Sequence, residues 1–116
     1  MKDQAGIKQR YLRDALPIRL GGLAANLARI KSFSDHADHR HVVESLLDES
    51  KFFIEWTAPD AELEVQAQLV ELQIQLAQWQ HRWTEIWQDP TSRTNVAEES
   101  LAWSTKVLEM SGLLRR

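Results

Sequence analysis

The stretch VQAQLVELQIQLAQWQHRWTEIWQ, residues 65–88, decides the fold class. Large apolar residues fall at Val65, Leu69, Leu72, Leu76, Trp79, Trp83 and Ile86, stepping 4-3-4-3-4-3, which is the spacing of one helix face. Trp87 extends a ladder from Trp79 through Trp83, so the far end of this helix carries the heaviest apolar load in the chain. Parts of the stretch, such as Leu72-Gln73-Ile74-Gln75-Leu76, also alternate as a strand does. The helical reading wins, because the seam holds over 22 residues, far beyond an ordinary strand, and few of its residues are β-branched. The glutamines read as the polar flank of the helix.

Outward from this stretch, punctuation marks four helices. Asp89-Pro90 stops the long one and caps the next, which runs over residues 91–112 to Gly112. Thr57-Ala58-Pro59-Asp60 separates it from a helix before it, so the long helix is expected over residues 59–88, with Pro59 in its first turn. The preceding helix is expected over residues 40–56, with core face Val43, Leu46, Leu47, Phe53 and Ile54 and cap candidates Asp35 and Asp38. The first regular helix covers residues 18–33, after a looser basic arm over residues 1–17 in which Pro17 either starts or kinks the helix. These helices make one domain, residues 1–116, of all-α class: an antiparallel four-helix bundle of two αα-hairpins with a long third helix.

Composition narrows the function. A formal net charge of −3 gives no reason to expect a polyanion partner, so nucleic acid is not a predicted ligand. The chain has no cysteine, which removes disulfides, thiolate metal sites and cysteine nucleophiles. Met1-Lys2-Asp3-Gln4 does not read as a signal peptide. The apolar window Leu20 to Ala28 is too short for a bilayer and contains Asn26, so no membrane span and a cytoplasmic protein are expected. Residues 1–31 carry a balance of +5 against −8 for the rest, which favours packing the first helix beside acidic neighbours or reaching an acidic partner.

Helix lengths then suggest an interface. At 1.5 Å per residue the third helix spans about 45 Å and the second about 25 Å, so the tryptophan end is expected to project as a bare two-helix hairpin. Two helices do not enclose such a seam. The preferred cover is the same hairpin of a second copy, a homodimer through Trp79, Trp83, Ile86, Trp87, Val96 and Trp103. The competing arrangement closes the Ser34 to His41 loop and the first helix over the tryptophans within one chain.

Other constellations are weaker. Gly21, Gly22 and Ala25 form a small-residue patch on the first helix, which with Trp56 reads as close helix packing or as a groove for a flat, tetrapyrrole-like ligand. His36, His39 and His41, with Asp35 and Asp38, are the one cluster with metal-ligand character, but a metal site ordinarily draws ligands from a second element, so no metal and no cofactor are assigned. Arg29 and His36 loosely match a helical nuclease spacing, which nine arginines and four histidines supply by chance. No catalytic set is singled out, and the chain is read as a non-enzymatic interaction or scaffold module.

Three stretches carry a likeness. RLGGLAANLARIKSF (residues 19–33), ESKFFIEW (residues 49–56) and LAQWQ (residues 76–80) resemble a group of small uncharacterised all-helical proteins of cyanobacteria. The resemblance covers most of the chain and implies a bacterial cytoplasmic setting. It brings no activity, and no functional residue carries over.

Overall fold

The computed structural model describes residues 4–114, and within them all regular structure is helical. Residues 1–3 of the expected arm lie outside the described residues. Six α-helices stand where four were expected: α1 Gln4–Arg13, α2 Leu16–Phe33, α3 Arg40–Thr57, α4 Leu63–His81, α5 Trp83–Gln88 and α6 Pro90–Ser111. The arm is thus a formed helix, and the long third helix is two.

The helix ends follow local chemistry in some places and depart from the expected signals in others. Pro17 lies in the first turn of α2, where its missing N–H leaves no helical bond unmade, and Ala15 before it is extended. Asp89 caps α6: its carboxylate accepts the Thr91 N–H at 3.2 Å and the Ser92 hydroxyl at 2.8 Å. Those bonds, the one from Ser92 foremost, favour the ionised form and hold its pKa below the usual carboxylate value. Gly112 ends α6 in the left-handed region at φ 78°, a conformation glycine adopts without a Cβ penalty. Asp35 and Asp38 do not cap α3; a 3-10 turn, Ala37–His39, leads into it instead, and His39 holds the cap position without a side-chain bond. Pro59 belongs to a second 3-10 turn, Ala58–Asp60, so α4 begins later than expected.

α2 is the centre of the molecule, packed against α3 on one side and α6 on the other. Leu20, Leu23, Leu27 and Ile30 of α2 are buried with Val43, Leu47 and Ile54 of α3, Leu69, Leu72 and Leu76 of α4 and Val107 of α6. Small residues let α2 and α6 approach closely: the Ser104 hydroxyl donates to the Ala24 carbonyl at 2.7 Å across the interface. α4 packs on α3, joined by Lys51 Nζ donating to Gln80 Oε1 and Gln80 Nε2 donating to Asp48 Oδ1, both at 2.8 Å.

A polar knot fixes the other end. The Tyr11 hydroxyl donates to the Arg19 carbonyl at 2.7 Å, lies 3.0 Å from Thr57 Oγ1, and its ring stacks on Phe53 at 4.0 Å. The guanidinium of buried Arg19 donates to the Asp14 and Trp56 carbonyls and pairs with Asp60 at 3.0 Å. The cation therefore satisfies the carbonyl end of α3 while tying α1, α2 and the turn before α4 together.

Candidate interaction surface

The tryptophan end closes within the single chain. Trp79, Trp83, Ile86, Trp87 and Val96 are all at most 9% exposed, and the expected overhang is absent: the longest dimension of the described chain is 38 Å. The reason is a break at Arg82, whose backbone leaves the helical region and whose N–H is shared between the Gln78 and Trp79 carbonyls. α5 then packs on α6, and the Trp87 indole donates to the Ala37 carbonyl at 2.9 Å. The Arg93 guanidinium lies 5.4 Å from the Trp87 ring and donates to its carbonyl at 3.3 Å. The loop before α3 thus supplies, within one chain, cover that the preferred arrangement takes from a second copy. Trp103 is set apart, half-buried on α6 with Lys106 Nζ 4.5 Å from its ring.

Three of the expected interface residues still meet at an opening. Trp79, Ile86 and Val96 floor a cleft of about 550 Å³ between α4, α5 and α6. Gln75, Gln78, Arg82, Ser92, Asn95 and Glu99 rim it. Primary amides around an apolar floor pair with peptide groups while the floor takes apolar side chains, a chemistry of binding rather than bond-breaking. Trp83 faces a different recess of about 340 Å³, with Glu44, Leu47, Asp48 and Gln80.

A second surface lies beside this cleft. Leu63, Val70 and Ile74 of α4 are 81%, 52% and 53% exposed, and with exposed Ala67, Ala77 and His81 they form a seam stepping 4-3-4-3-4. Ile74, Ala77, Gln78, His81 and Arg82 line a shallow hollow of about 340 Å³ along it. Gln78 and Arg82 border both the hollow and the cleft, so the two surfaces share one ridge. The signal was present in the sequence: this outer seam runs two residues out of step with the inner one. That offset produces the Gln-spaced alternation that mimics a strand.

The remaining candidate residues are not gathered into a site. A Cβ on Gly21 would stand 2.8 Å from Leu113 Cδ1, and one on Gly22 would stand 3.7 Å from Tyr11 Cε1, so both glycines are covered. Ala25 is exposed, and half-buried Trp56 packs with Tyr11, Phe52 and Phe53. The His36 and His39 rings are 5.7 Å apart, His39 lies edge-on to Phe33, and His41 Nδ1 is 3.2 Å from Glu44 Oε1. Among the described residues no group of three or more His, Asp or Glu is placed to hold a metal ion. No described helix is long and apolar enough to cross a membrane. No known family, curated protein or solved structure matches the chain.

Proposed function

We propose that this chain is a non-enzymatic protein–protein interaction or scaffold module that docks through the outer face of α4 and the adjoining cleft. The observation that carries the reading is the outer seam. Leu63, Val70 and Ile74 are half or more exposed and, with exposed Ala67 and Ala77, keep helical register along most of α4, whereas singly scattered apolar residues on a surface need no explanation. The cleft beside it adds a buried tryptophan ringed by amides, the kind of anchor on which association energy concentrates. We also read α2, α3, α4 and α6 as an antiparallel four-helix arrangement opened between α4 and α6. On the cyanobacterial likeness alone, we place the module in a bacterial cytoplasm. The alternative, a groove for a flat ligand, has less support, since Leu113 and Tyr11 stand against the two glycines.

The test is the elution of the tagged protein in extract of its native host. The wild-type chain is expected above its own 13.4 kDa, and Ile74→Glu is expected to return it to the monomer position. A wild-type chain that elutes as a monomer, or an Ile74→Glu chain that elutes unchanged, overturns the reading.

A further inference from the structure

The outer seam of α4 has a chemistry that says what covers it. Its two ends differ in charge: Glu62 and Glu64 stand exposed at the start of the helix, and exposed Arg82, which also reaches Glu85 at 3.4 Å, stands at its end. A parallel neighbour with the same seam would set Glu62 and Glu64 on the same carboxylates of the second copy and align the helix macrodipoles. An antiparallel one sets Glu62 and Glu64 of each copy beside Arg82 of the other and opposes the helix macrodipoles.

The seam residues, with the His81 ring as the last layer, obey the same symmetry. With a two-fold axis crossing α4 near residue 72, Val70 meets Ile74 of the second copy, Ala67 meets Ala77, and Leu63 meets His81. Every layer of the seam therefore finds its counterpart, the two alanine layers let the helices approach closely, and the 4-3 spacing is that of knobs-into-holes packing. Self-complementarity of one patch under a two-fold is the mark of an isologous interface.

From this we infer that α4 is the contact helix of a homodimer, pairing antiparallel with α4 of a second copy through Leu63, Ala67, Val70, Ile74, Ala77 and His81. The inference rests on the interaction-module reading and names its partner. It moves the dimer from the tryptophans to the opposite face of the same helix. A single pair of helices about 28 Å long is a small interface, so the dimer is of modest affinity and dissociates on dilution.

The absence of cysteine from the chain gives a clean test. Light scattering of the purified protein over a dilution series is expected to give twice 13.4 kDa at high concentration, and Ile74→Glu is expected to weaken the dimer about a hundredfold or more, because each of the two symmetric layers then buries a carboxylate against Val70 of the second copy. Ala67→Cys and Ala77→Cys, each at an exposed position, are then held in a thiol redox buffer. A disulfide-linked dimer that forms only when the two variants are mixed bears out the antiparallel pairing, because each cysteine alone lies far from its own copy. Cross-linking of each variant by itself shows a parallel pair and overturns it, as does a dimer that survives Ile74→Glu. A purified chain that stays monomeric while its extract complex still depends on Ile74 also overturns the second-copy inference and leaves the interaction reading standing.

Discussion

α2 and α4 pose the same problem and meet different fates. Both carry apolar residues on more than one face, so neither has the clean polar side of an ordinary surface helix. α2 finds cover on several sides: α3, α6, the Tyr11 ring over Gly22 and Leu113 against Gly21. α4 finds cover on its inner side from α3, while its outer side keeps Leu63, Val70 and Ile74 in solvent. A helix with two apolar faces asks for two neighbours. The chain provides them for α2 and provides one for α4, which is the physical content of the dimer inferred above.

The largest effect that would break this comparison lies within α4 itself. Leu72 is fully buried and Ile74, two residues on, is 53% exposed. In dilute monomer, Leu72→Ala is expected to cost about 2–5 kcal/mol in urea denaturation through lost transfer energy and an unfilled cavity. Ile74→Ala is expected to stay within about 0.5 kcal/mol of wild type, as surface substitutions do. Equal losses would mean that the outer seam is packed within the monomer, and the contrast with α2 would disappear.

How legible this was from the sequence differs along the same helix. The inner seam was plain from its spacing, and the ends of α6 were plain from Asp89-Pro90 and Gly112, because caps and left-handed glycines act locally. The break at Arg82 was not, since neither proline nor glycine stands there; the bond from the Trp87 indole to the distant Ala37 carbonyl and the Trp83–Trp87 ring contact accompany it. An unbroken helix over residues 59–88 would project and bare its tryptophans; the break folds them in, and the chain buries them itself. The outer seam was readable but was absorbed into the glutamine flank, because alternation and a doubled helical seam look alike over five residues. The Tyr11 and Arg19 knot had no local signal, since its partners Thr57 and Asp60 lie some 40 residues away and only the fold brings them in.

Next in size is the cover on α2. Tyr11→Phe keeps the ring over Gly22 and on Phe53 but strips the hydroxyl from the Arg19 carbonyl and from fully buried Thr57. The expected loss is about 1–3 kcal/mol, the cost of leaving buried polar groups without a partner. Burial pushes the Tyr11 phenol up to about 12 from 10.0, against the opposing pull of the Thr57 bond and Arg19. The folded state thus holds the proton more tightly than the unfolded state. That contribution is complete below pH 10.0 and is lost as pH rises through about 12. Tyr11 is the only tyrosine, so phenolate absorbance during an alkaline titration reads this group alone. Ionisation at the ordinary value in the folded protein would show that α1 does not seal α2.

The smallest expected effects sharpen the comparison by their sign. A methyl group at Gly22 would meet Tyr11 at an ordinary contact distance of 3.7 Å, while one at Gly21 would press on the end of the Leu113 side chain at 2.8 Å. Both positions are interior to α2, where alanine is favoured over glycine by up to about 1 kcal/mol through backbone entropy. Gly22→Ala is therefore expected to raise stability by most of that amount. Gly21→Ala is expected to gain less, because Leu113, itself 44% exposed, must turn aside to make room. A thermal-melt ranking of Gly22→Ala above Gly21→Ala above wild type fits a helix covered by yielding side chains. Destabilisation by both would mean that a rigid neighbour lies against α2, and its cover would be as tight on the outside as within the core.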